Sequence, residues 1–138
     1  MSSKSSTIET RLATVKVVKG QGVSEGAFEL RLEVKDDSGK STTWPAEGSS
    51  AKVNNNGSTY TIDEQLSLFT IGGAVSKNYT VFATEVDKGL NGQDDTGQGA
   101  ITLDLTPDMQ LTTTSVPVNL AGGKQGQILV GLTAGPPK

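Results

Sequence analysis

The chain has 138 residues, the length of one ordinary domain, which leaves no room for two independent cores. It contains no Cys and no His, so disulfide staples, thiolate nucleophiles, Cys/His zinc sites, Ser-His-Asp triads and imidazole pH switches are excluded. Its 12 basic against 15 acidic residues give a net charge of −3; no basic face for a phosphate backbone is built, and nucleic acid is not an expected partner.

Residues 1–7 are polar and have no apolar signal-peptide core, and no apolar run approaches the roughly 20 residues of a membrane span. The expectation is a soluble chain without a transmembrane segment. Its site is cytoplasmic by default, with export or assembly into a particle as the other routes. A flexible tail over 1–7 leads into a single domain over 8–134, followed by a short tail over 135–138.

The first strand is expected over 12–18. The clearest pattern follows: Phe28, Leu30, Leu32 and Val34 alternate with Glu29, Arg31, Glu33 and Lys35. A period of two marks a half-buried strand with one wet face. Further strands are predicted over 59–62 and 65–71, with Asp63-Glu64-Gln65 between them as the one stretch that could form a helical turn. Residues 78–86 carry apolar groups on both faces, which suggests a central strand. Ile101, Leu103 and Leu105 repeat the alternation, then come 111–118 and the run Ile128, Val130, Leu132, Ala134. Asp37-Ser38-Gly39, Asn56-Gly57, Gly72-Gly73, Asn91-Gly92 and Gly122-Gly123 supply turn chemistry between these segments. About eight short strands joined by turns predict an all-β fold, an antiparallel sandwich.

One stretch stands out electrostatically. Glu85, Asp87, Asp94 and Asp95 against Lys88 carry −3, the net charge of the whole chain. Glu85 and Asp87 are two apart at the end of a predicted strand, so both leave by the face that carries Tyr79, Val81 and Ala83. Clustered carboxylates resist ionising together unless a cation joins them. Calcium takes six to eight oxygens in flexible geometry, and carboxylates, the Asn91 side chain and loop carbonyls provide them. Two readings follow: a calcium site at one pole of the sandwich, or a solvated acidic loop whose Asp, Asn and Gly serve turns.

Val81 to Gly97 resembles the third calcium-binding loop of C2 domains, eight-stranded sandwiches that commonly bind calcium and phospholipid headgroups. Glu85 and Asp87 look like that family's paired acids, Asp94 like the third, and Gly97 stands three residues beyond it. The loop is one residue longer than the common form, and Glu85 replaces the usual first Asp. The resemblance implies a second calcium loop before the strand that starts near Phe28, where Glu25 is the acid present.

Other candidates are local. Asp36 and Asp37 are either hairpin chemistry or additional metal ligands, should their turn lie at the same pole. Trp44, the only Trp, is either core packing or an exposed contact for a glycan or partner. Paired carboxylates could serve as acid and base, but aromatics are only 4% of the chain, too few to line a substrate cleft, so no enzyme is expected. The functional expectation is a non-catalytic module that binds calcium and, through it, a phospholipid headgroup, glycan or protein partner. The alternative, from another class, is a structural subunit that self-assembles into a capsid, tail, tube or filament.

Overall fold

The computed structural model describes residues 5–19, 27–45, 51–54, 59–86, 95–120 and 126–137. Nine strands are found there: β1 (Ser6–Lys19), β2 (Ala27–Asp36), β3 (Ser41–Trp44), β4 (Ala51–Asn54), β5 (Thr59–Ile71), β6 (Val75–Glu85), β7 (Asp95–Leu105), β8 (Thr112–Leu120) and β9 (Gly126–Gly135). They form two antiparallel sheets. Sheet A runs β5-β1-β9-β8; sheet B runs β3-β2-β6-β7, with β4 also paired to β2. The expected all-β sandwich is therefore the architecture found.

The alternating rows become the core because a strand sends successive side chains to opposite faces. Leu30, Leu32 and Val34 from β2 meet Tyr79, Val81 and Ala83 from β6. From the other sheet come Leu12 and Val15 of β1 and Ile128, Val130 and Leu132 of β9, all buried. Each such Leu or Val contributes about 1.5–3 kcal/mol by leaving water. A polar tie joins the layers inside this core, since the Thr10 and Tyr79 hydroxyls lie 2.7 Å apart. Burial pushes the Tyr79 hydroxyl pKa up, against hydrogen bonds with Thr10 and Ser67 that pull it down.

Four details differ from the sequence expectation. The segments 59–62 and 65–71 are one continuous strand, β5, and no helical turn lies between them. Asp63 there takes φ 63°, the left-handed conformation that a short polar side chain tolerates. Against β1 the register of β5 shifts between Thr10/Arg11 and again between Leu12/Thr14, so β5 accommodates extra residues as bulges. Two short strands, β3 and β4, lie one after the other along the same side of β2. Finally, β1 begins at Ser6 and β9 runs through Gly135, so the ladder reaches into both expected tails.

At the β7–β8 side the sheets close on each other. A Cβ at Gly99 would come within 2.8 Å of the Pro117 carbonyl oxygen, and one at Gly97 would collide with the Asn119 backbone. Glycine is required at these two positions by that backbone approach.

Candidate functional site

Strand β6 organises the acidic candidates. Its inward row is Tyr79, Val81, Ala83 and Glu85, and Glu85 is only 5% exposed. A carboxylate thus occupies the last place of an otherwise apolar row. In register, Glu85 faces Asp95 on β7 and Leu30 on β2. Just beyond, the Val86 amide donates to the Glu29 carbonyl at 2.8 Å, which closes that end of the sheet. The expectation that Glu85 shares a face with Tyr79, Val81 and Ala83 agrees with this burial. Asp95 is the first residue of β7, directly across the ladder.

Glu25, Asp87, Asn91 and Asp94 lie outside the described residues. Among the described residues no three acidic side chains gather as a metal-binding group.

Asp36 and Asp37 do not belong to the same end. Asp36 pairs with Tyr79 while Glu85 pairs with Leu30; six residues of strand at about 3.4 Å each separate the two ends by roughly 20 Å. A single ion cannot bridge that distance. Local chemistry instead explains Asp36. Its Oδ1 accepts from the Ser38 amide at 2.9 Å, the Ser38 hydroxyl at 2.6 Å and the Lys40 amide at 2.9 Å, an Asx-type turn that leads β2 into β3. Partial burial pushes the Asp36 pKa up, but the hydrogen bonds from Ser38 and Lys40 outweigh it and hold the carboxyl below its ordinary value. Asp37 accepts from the Asn78 amide at 3.2 Å, which ties the turn to β6. Both acids are hairpin residues.

Trp44 is a core residue rather than an exposed contact. It is 8% exposed, and its ring centroid lies 5.5 Å from that of Tyr60, tilted by 56°. Pairing of Trp44 with Leu32 turns the indole inward at the rim where β3 approaches β5. The indole itself does not present a flat face to a glycan.

A second charged constellation escaped the sequence reading. Arg11 donates from Nη1 to Glu9 at 2.9 Å and from Nε to the Asp63 carboxylate at 2.8 Å. The spacing of Glu9 and Arg11, two apart on one strand, was the signal available; the arrival of Asp63 from β5 was not.

No family model matches the chain, and no curated protein matches it. Among solved structures it is similar to a C2 domain-containing protein from a putative elicitor-responsive gene, at 14% identity and TM-score 0.48, over 99% of this chain and 94% of that one. It is also similar to a C2 domain of plant Extended Synaptotagmin 1, at 11% identity and TM-score 0.48, over 96% of each chain.

Proposed function

We propose that this chain is a non-catalytic β-sandwich binding module that holds a calcium ion at the Glu85 end of sheet B. The observation that carries the reading is the place of Glu85: a buried carboxylate at the end of the β6 apolar row, in register with Asp95. The connection between those two residues contains Asp87, Asn91 and Asp94. Carboxylate and amide oxygens are the donor set that a hard cation of flexible coordination takes. The residues present fit that ion; Glu85, Asp87 and Asp94 would supply anionic oxygens, Asp95 a further one, and Asn91 a neutral one. Glu25, before β2, would contribute from the neighbouring connection. The resemblance of 81–97 to a C2 calcium loop supports the same reading. Bound calcium would cancel the local negative charge and present a cationic centre to an anionic group on a phospholipid headgroup, a glycan or a protein partner.

A calorimetric calcium titration with a parallel melting curve tests this. At a calcium concentration about 100 times Kd, binding to the folded state alone adds about 2.7 kcal/mol, roughly 8 °C in melting temperature for a domain of this size. The double variant Asp87→Asn, Asp94→Asn should lose both the heat and the shift. Absence of heat and shift in the unaltered chain overturns the reading.

The self-assembling subunit draws support from one specific feature. Strand β5 is 13 residues long, ends sheet A, and carries Leu68 at 53% and Tyr60 at 42% exposure. Terminal strands are templates for pairing with another chain. Light scattering across a hundredfold concentration range separates the two readings: constant monomer mass removes assembly.

A further inference from the structure

The strands that end the two sheets are not alike. β8 carries Pro117, which has no amide hydrogen to offer a ladder, and it lies hard against β7 at Gly97 and Gly99. β3 and β4 are four residues each. Proline, shortness and a covering neighbour are devices that keep an edge from pairing with another chain. Strand β5 has neither the proline nor the shortness: it is 13 residues long and ends sheet A. Among the described residues its one ladder partner is β1. Its register shifts leave one end regular, since Ser67 to Ile71 pair without a break against Thr10 to Ser6. That end is also away from Tyr60, which packs on Trp44.

The regular stretch, Ser67-Leu68-Phe69-Thr70-Ile71, contains no charge, Gly or Pro, a composition that favours strand pairing. It is also complementary to itself. An antiparallel pair opposes residues that share a face. Two copies of the stretch meet that condition at every position when a two-fold axis passes through Phe69: Ser67 then opposes Ile71, Leu68 opposes Thr70, and Phe69 opposes its own copy. Ser67 and Ile71 are both on the core side, at 6% and 7% exposure. Leu68 and Thr70 are both exposed. An axis one residue earlier, at Leu68, fails the condition, because it sets exposed Thr70 against Leu66, which is 2% exposed. With the axis at Phe69 the acids Asp63 and Glu64 lie outside the ladder, so no like charges are opposed within it.

We propose that β5 is a self-association edge: residues 67–71 of two copies pair antiparallel about a two-fold axis at Phe69 and join two copies of sheet A into one. The pairing uses the same stretch on both copies, so growth stops at two. This narrows the assembly reading to a closed dimer, and it does not depend on the calcium pole.

The test uses the full chain in EDTA and exploits its lack of Cys. In sedimentation experiments the weight-average mass should rise from that of one chain toward that of two between about 10 µM and about 1 mM, the weak association expected of an interface below roughly 1,200 Å². Leu68→Lys puts a charge at an exposed position of the edge and should weaken association at least about tenfold, with a melting temperature within about 2 °C of the unaltered chain. Ser115→Lys, on β8, should leave association unchanged. For the register, Leu68→Cys and Thr70→Cys are oxidised separately and as a mixture. Opposed Cα atoms stand about 5 Å apart, within disulfide reach, whereas two copies of the same variant hold their cysteines about 8 Å apart, beyond it. The mixture should therefore form the mixed disulfide dimer, and neither variant alone should cross-link efficiently. A monomer mass at every concentration, an unaffected Leu68→Lys variant, or a mixture that cross-links no faster than its components would each overturn the proposal. Masses beyond two copies without the mixed cross-link would also overturn it, while leaving assembly through other surfaces standing.

Discussion

The paired stretch of β2 and β6 has an acid at each end, Asp36 of β2 opposite Tyr79 and Glu85 of β6 opposite Leu30, and the chain treats them in opposite ways. At the Tyr79 end, Asp36 spends its carboxylate on the turn that it begins, accepting from Ser38 and Lys40 within five residues. At the other end, Glu85 takes an inward position at 5% exposure, in a row otherwise made of Tyr79, Val81 and Ala83. The first acid serves its own turn at the surface; the second stands on the core side of a sheet, and the sequence from it to Asp95 contains two more acids, Asp87 and Asp94. The lesson is that a pair of acids in sequence says little until the register states which end of the sheet each occupies.

The contrast can be broken at several points. The largest effect is expected where β7, which leads away from the Glu85 end, lies against β8. Gly99→Val should destabilise the domain by about 3 kcal/mol through overpacking, read by urea denaturation, and should lower calcium affinity if β7 shifts with it. Next, Glu85→Gln and Asp36→Asn should differ in kind: under the proposed calcium reading the first should remove most of the expected rise of roughly 8 °C, and the second should leave it intact. Equal behaviour of the two variants in a calcium melting series would erase the distinction between the ends.

Between them, Tyr79→Phe removes the interlayer bond to Thr10 and leaves a hydroxyl without its partner in the core, a loss of about 1.5 kcal/mol. Because the Tyr79 pKa is raised, that residue's contribution is complete below its ordinary value of 10.0 and fades as pH climbs through the higher folded value. The tyrosine absorbance titration of the folded chain, compared with the unfolded one, should show this.

The smallest effect belongs to the turn. Asp36→Ala should lose about 1 kcal/mol, and its pH dependence has a definite sign. The folded carboxyl titrates below the ordinary 3.8, so its contribution is present above that value and is lost as pH falls through the lower folded one. The stability gap between the unaltered chain and Asp36→Ala, measured by urea midpoints, should therefore be constant near neutrality and shrink below pH 3.8.

Much of the sandwich was legible in the chain because alternation is a direct print of the pleat. Leu30, Leu32 and Val34, or Ile128, Val130 and Leu132, state their own burial before any partner is known. The inward direction of Glu85 followed from the same parity. By contrast, β3 and β4 carry four residues each, too few for a period to show, and they exist because β2 offers them a ladder. The Asp63 bulge was hidden for a related reason: a shift of register belongs to a pair of strands, and neither strand contains it alone. Trp44 was ambiguous because an aromatic's burial depends on whether another layer stands over it, here supplied near Tyr60.

What the amino-acid order determined by itself was the strand class, the inward rows and the chemistry of the turns, since these rest on neighbours within a few residues. Tertiary structure alone decided that Asp36 and Glu85 lie at opposite ends of a sheet, that β5 is one bulged strand, and that Arg11 meets Asp63 from 52 residues away. Such contacts arise when hydrophobic burial brings distant segments into one ladder, and no local pattern encodes the register in which they meet.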